Sequence, residues 1–148
     1  MTADIGMIRQ TLTLLHTPGT VAELRIINAG RVGTVSGYFD AIDVMTKEAA
    51  QWSGEAPGVY STLNPCTPAL LARAANRLIT HAKQTTRDAD IVRRHWLPID
   101  FDPVRPAGIS STAAEHESAC QRAHACRAVP SAWQELGWRQ AMEPSGGG

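Results

Sequence analysis

Leu97-Pro-Ile-Asp-Phe-Asp-Pro103 decides how the rest of this chain reads. Apolar residues alternate with the carboxylates of Asp100 and Asp102, the pattern of a strand whose side chains point to opposite faces in turn. As a strand, the run puts both carboxylates on one side and Phe101 on the other, in a core. Pro103 ends it, having no N–H to offer a ladder. Two hard oxygen donors at the end of a buried strand suit Mg²⁺ or Mn²⁺, which take carboxylates together with substrate phosphates. The chemistry this suggests is two-metal phosphoryl transfer, in which ions about 3.5–4 Å apart stabilise the attacking and leaving oxygens. The competing reading of the same pair is a solvated strand end.

Working outward, strands and helices alternate. Thr20 to Ile27 is β-branched and aliphatic and predicts a strand. Asn28-Ala-Gly30 supplies turn chemistry, and Gly33 to Phe39 the return strand of a hairpin. Asp40 is placed to cap a helix running to about Trp52, with Ile42, Met45, Ala49 and Trp52 on one face. After the breakers Ser53-Gly54 and Pro57-Gly58, Val59 to Leu63 predicts a third strand. Thr67-Pro68 opens a helix with the apolar stripe Leu70, Leu71, Ala74, Ala75 and Leu78. Downstream of the aspartates, Thr112-Ala-Ala-Glu115 fits a capping box opening a helix to about Arg127, and a short helix follows from Ser131 to Leu136. The alternation predicts an α/β (α+β) domain, a mixed sheet with flanking helices. A chain of 148 residues reads as one domain, with 1–19 and 143–148 expected to be poorly ordered.

Hydrophobic residues make up 43% of the chain and charged ones 19%, which suits a globular protein. No apolar stretch approaches the roughly 20 residues of a membrane span, and residues 1–10 lack the pattern of a signal peptide. Cys66, Cys120 and Cys126 are too few for a disulfide framework, so reduced thiols in a cytoplasm are expected. The net charge is zero, so the chain as a whole does not advertise nucleic-acid binding. The charge is uneven, however. Between Arg73 and Arg94 lie Arg73, Arg77, Lys83, Arg87, Arg93 and Arg94 against Asp88 and Asp90.

An ordered series of segments carries a resemblance. Gly58-Val-Tyr-Ser-Thr-Leu-Asn-Pro65, Ala72-Arg-Ala-Ala-Asn-Arg77, Thr86-Arg-Asp-Ala-Asp-Ile91, Trp96 to Pro106, and Ser110-Ser-Thr112 followed by Glu115 resemble plasmid and phage primase-polymerases of the archaeo-eukaryotic primase superfamily. Glu23-Leu-Arg25 and Gly37-Tyr-Phe-Asp40 fit the upstream region of the same family, and the similarity runs from about Thr20 to the end. The resemblance implies the N-terminal portion of a primase-polymerase catalytic core, a metal-dependent nucleotidyl transferase. Its implied partners are a single-stranded DNA template, nucleoside triphosphates, and a helicase or downstream domain. Asp100 and Asp102 match the first catalytic motif, holding Mg²⁺ or Mn²⁺. The second motif, commonly SGNGxH after a leucine-glycine-tryptophan segment, is matched in part by Leu136-Gly-Trp138 and Ser145-Gly-Gly-Gly148. Its phosphate-contacting histidine and the third motif's aspartate are not among these residues, so the expectation is a domain truncated at the second motif, weak or inactive by itself.

Other residues are candidates for supporting roles. Arg105 offers a planar fork to a triphosphate, or pairs locally with a carboxylate. Arg73, Arg77, Lys83 and Arg87 are candidate DNA contacts, with an ordinary solvated surface as the alternative. Asp88 and Asp90, a second DxD, read as capping and turn carboxylates, with a supporting role near the metal as the alternative. His116, Cys120 and His124 recur every four residues on one helix face, but the outer two lie roughly 12 Å apart, so at most two share an ion, Cys126 lies on a different face, and an ordinary helix surface is the preferred reading over a zinc site. Cys66 has no basic neighbour in sequence to activate it. Tyr38, Tyr60 and Trp96 suit base stacking or a core. Two further readings stand beside the primase-polymerase: a non-catalytic nucleic-acid or partner binding module, and another two-metal phosphotransferase or nuclease.

Overall fold

The computed structural model describes residues 4–106 and 108–127. These fall into two compact units, Met1–Leu97 and Pro98–Gly148. In the first unit, β1 (Ala22–Ile27) is the centre of a three-stranded antiparallel sheet, flanked by β2 (Val35–Phe39) and β3 (Gly58–Ser61). Leu24 pairs with Gly37 on one side and with Ser61 on the other. The predicted hairpin therefore forms, and the sheet is antiparallel where a mixed one was expected. The left-handed backbone of Asn28, Gly30 and Gly33 turns the chain between its strands.

Strand alternation gives the sheet two different faces. Ala22, Leu24, Ile26, Val35 and Phe39 form one core with Leu12 of α1 (Ile5–Leu15) and Met45 and Ala49 of α2 (Ile42–Trp52). Ile42 and Trp52 pack against it, as the spacing predicts. Residues 5–15, expected to be poorly ordered, are helical because Asp4 caps their first turn and Leu12 finds this core. Asp40 does not cap α2; its carboxylate accepts instead from Asn76 Nδ2 at 2.6 Å. The opposite face carries Glu23, Arg25, Ser36 and Tyr38, and chain from 62–96 covers it. There Val21, Tyr38, Cys66 and Leu70 make a second, smaller core.

Two predicted elements are absent. The helix expected from Thr67 through Leu78 stops as a 3₁₀ turn at Pro68–Arg73. Beyond it the backbone runs along the free edge of β2. Ala74 and Ile79 carbonyls accept from Tyr38 and Ser36 N–H groups, while Asn76 and Ile79 N–H groups donate back to Tyr38 and Ser36. Buried edge groups of a strand must be paired, and that demand outweighs a modest helix propensity. The strand expected at Leu97–Pro103 is irregular chain without a ladder partner. Pro98 and Pro103 remove two of its donors, and Leu97 and Ile99 are half exposed.

In the second unit, α3 (Ala113–Arg127) begins as predicted. Glu115 accepts from the Thr112 N–H at 2.7 Å while Thr112 Oγ1 accepts from the Glu115 N–H at 3.3 Å, a reciprocal cap. The helix predicted at Ser131–Leu136, and the candidate turn at Ser145, lie outside the described residues. Among the described residues, no helix is long and apolar enough to cross a membrane.

Candidate functional site

Asp100 and Asp102 are both exposed, with Phe101 half-buried between them. Of the apolar positions before Pro103 only Phe101 is even half-buried, since Leu97 and Ile99 are exposed, so the expected alternation of burial is lost with the strand. Neither carboxylate takes part in an ion pair among the described residues. The Asp102 backbone carbonyl accepts from Arg122 at 2.8 Å, which leaves the side chain free of that cation. Two exposed hard-oxygen donors without a protein cation are compatible with Mg²⁺ or Mn²⁺, which keep several waters. Among the described residues, no group of three or more His, Cys, Asp or Glu side chains converges as a closed metal cage would require.

The chain reaches this run from a fixed point. Asn64 Oδ1 accepts from the His95 and Trp96 N–H groups at 2.7 and 2.8 Å, and its Nδ2 donates to the Trp96 carbonyl at 2.9 Å. The Trp96 indole donates to the Leu15 carbonyl at 3.1 Å, so this aromatic is an anchor. Cys66 bridges Val21 and Ile91, and the Thr67 N–H and hydroxyl both donate to the Asp90 carbonyl. The segments around Asn64, Asp90 and Trp96, far apart in sequence, are thus stitched to one another.

A buried polar network was not legible as a site in the sequence. Glu23 is 1% exposed and accepts from Arg25 Nε and Nη2 at 3.1 and 2.6 Å, Ser36 Oγ at 2.5 Å and the Thr86 N–H at 3.0 Å. Burial by itself would push its carboxyl up, but the bonds from Arg25, Ser36 and Thr86 together hold it below the usual range. Arg25 also donates to the Thr86 carbonyl at 3.2 Å. The only sequence signal is that Glu23 and Arg25 share one strand face, with Ser36 and Tyr38 opposite. The cover that buries them comes from residues 62–96.

That cover carries the basic residues. Arg73, Arg77, Lys83, Arg87, Arg93 and Arg94 are all exposed, and among the described residues none forms an ion pair. Arg73 makes a long contact of 3.5 Å to the Tyr38 hydroxyl, itself buried. Asp90 accepts from the Arg87 N–H at 2.9 Å, the turn role read for it. Tyr60 is 54% exposed, the one tyrosine of the sheet open to a ligand. Arg105 donates to the Ile109 carbonyl at 2.5 Å, a local partner that leaves its other N–H groups available. Cys66 is buried, with its Sγ 3.6 Å from Thr86 Oγ1. Comparison with known proteins finds no family model, no curated protein and no solved structure that matches this chain.

Proposed function

We propose that this chain carries the metal-binding run of a DNA primase-polymerase of the archaeo-eukaryotic primase superfamily. The observation that carries the reading is the state of Asp100 and Asp102: exposed carboxylates flanking a half-buried Phe101, with no cationic partner among the described residues. Asp100 and Asp102 would hold Mg²⁺ or Mn²⁺. Such an ion, when bound, neutralises charge on the phosphates of a nucleoside triphosphate and on the attacking oxygen. The remaining N–H groups of Arg105 are suited to triphosphate oxygens, a role the resemblance gives also to Ser145. Arg73, Arg77, Lys83 and Arg87 hold the template strand by its phosphates. A site of two carboxylates is an incomplete set for Mg²⁺, so nucleotidyl transfer requires the histidine and third aspartate of the family pattern as well.

Replacing Asp100 and Asp102 together by Asn tests the metal role. Mn²⁺ binding, read from the paramagnetic signal of the free ion, should be lost. The thermal midpoint should stay equal or rise, because two like charges disappear. A loss of several degrees with unchanged Mn²⁺ binding would make the pair structural and end this reading.

A second reading, a nucleic-acid binding module without catalysis, is favoured by the six exposed cations. Its mark is single-stranded DNA binding that survives the double Asn replacement. It requires in addition that no nucleotide be incorporated on a primed template when the segment bearing the missing histidine and aspartate is supplied.

A further inference from the structure

Tyr60 lies on β3, an outer strand of the sheet, and is 54% exposed. Side chains at i and i+2 of a strand share a face, so Tyr60 and Gly58 are neighbours on one side of β3. The tyrosine ring leans into the space that the glycine leaves. A Cβ on Gly58 would fall 2.5, 2.6 and 2.7 Å from Tyr60 Oη, Cε2 and Cζ. One side of the ring is therefore seated against the Gly58 backbone, the cover that aromatics give a strand glycine, and more than half of the residue stays open to solvent. We propose that the open side of Tyr60 is a stacking platform for a base of a single-stranded nucleic acid. The inference rests on the nucleic-acid reading above and names where a base, as distinct from a phosphate, is held.

The charges around the ring fit this occupant. Arg25 stands directly across from Tyr60 in the β1–β3 pairing. Its Nε and Nη2 go to Glu23 and to the Thr86 carbonyl, so its charge is answered inside the protein. Those bonds hold Thr86 over the same sheet face, and the exposed Lys83 and Arg87 lie on either side of Thr86 in the chain. A strand laid here meets cations for its phosphates on the cover and an aromatic face for a base on the sheet. These are the two parts of a site that binds single strands without reading their sequence. Tyr38, on the same sheet face, is 2% exposed, and Trp96 gives its indole N–H to the Leu15 carbonyl, so neither competes for the role.

The test compares labelled oligo-dT with an abasic oligonucleotide of the same length and charge, by fluorescence anisotropy on the full chain. The parent should bind oligo-dT more tightly. Tyr60→Ala should weaken oligo-dT binding about tenfold, or 1.4 kcal/mol, and leave the abasic strand and the salt slope unchanged. Tyr60→Trp should keep the oligo-dT affinity, whereas Tyr60→Leu, apolar without a π face, should lose it as Ala does. Gly58→Ala, which puts a methyl group in the ring's seat, should weaken oligo-dT by a smaller factor and again spare the abasic strand. Far-ultraviolet circular dichroism checks the fold of each variant, and should Tyr60→Ala unfold, the Trp and Leu variants decide. Equal binding of the two oligonucleotides by the parent, or a Tyr60→Leu chain that binds oligo-dT as tightly as the parent, overturns the platform and leaves the phosphate contacts standing. Binding of neither oligonucleotide ends the nucleic-acid reading and the platform with it.

Discussion

Glu23 stays ionised inside the first unit because four donor atoms replace the water it loses. Glu23→Ala leaves Arg25 without its carboxylate and the Thr86 N–H without an acceptor. Because Arg25 is 29% exposed and still partly solvated, the expected loss in urea denaturation is about 2–4 kcal/mol, at or below that of a fully buried pair. Glu23→Gln, which keeps the shape and loses the charge, should cost about 1–2 kcal/mol. The sign with pH follows from the depressed carboxyl. Its stabilisation is present above the ordinary value of 4.5 and is lost as pH falls through the lower folded value, so the Gln variant should show a shallower acid decline. His16 works in a higher window. Its Nε2 meets Ser61 Oγ at 3.0 Å, its buried Nδ1 has no hydrogen-bond partner among the described residues, and burial holds it below 6.5. The unfolded chain then binds a proton that the folded chain refuses, and stability falls as pH drops below 6.5. Thermal midpoints of His16→Gln should be flatter than the parent's from pH 7 to 5.

At the scale of elements, the edge of β2 shows how one position fixes a whole segment. A Cβ on Gly37 would overlap the Arg77 carbonyl oxygen, so the chain beyond the 3₁₀ turn can lie along β2 only with glycine there. Gly37→Ala should cost about 3 kcal/mol in chemical denaturation, since the obstacle is backbone and cannot rotate away. Thr112→Ala, which removes half of the reciprocal cap of α3, should cost that helix about 1 kcal/mol, read from its helical signal on heating. The hairpin, α2 and the start of α3 were legible because each is written locally: dense alternation, apolar residues one turn apart, and Thr112 three residues before Glu115. Residues 74–79 were not, since their apolar stripe is helical and only the unpaired edge of β2, more than thirty residues earlier, overrides it. Asp100 and Asp102 stand out in sequence by spacing alone. Their alternation spells a strand only where a neighbouring ladder exists, and two prolines weaken any ladder. The Glu23 network stayed hidden because strand pattern marks its face as polar without telling what covers it.

Across the molecule, zero net charge conceals a segregated surface, since the cover from Arg73 to Arg94 bears six basic against two acidic residues. If a single strand lies on it, log affinity should fall with log salt by roughly 0.7 per phosphate neutralised. Replacing Lys83 and Arg87 by Gln should lower that slope by about 1.4 in fluorescence anisotropy, with the fold intact because both side chains are exposed. A slope unaltered by the pair would move the contact elsewhere. The same cover has a consequence in time. β1 and β2 are joined by a short turn and close within microseconds, whereas Thr86 returns to Glu23 across 63 positions and pays a larger loop entropy. The hairpin therefore forms while its carboxylate still faces water, and the lid over it closes late. In stopped-flow experiments Glu23→Gln should speed unfolding roughly tenfold and leave the refolding rate within about twofold. That split between the two rates would assign the Glu23 network to the lifetime of the folded chain and not to the speed of its formation.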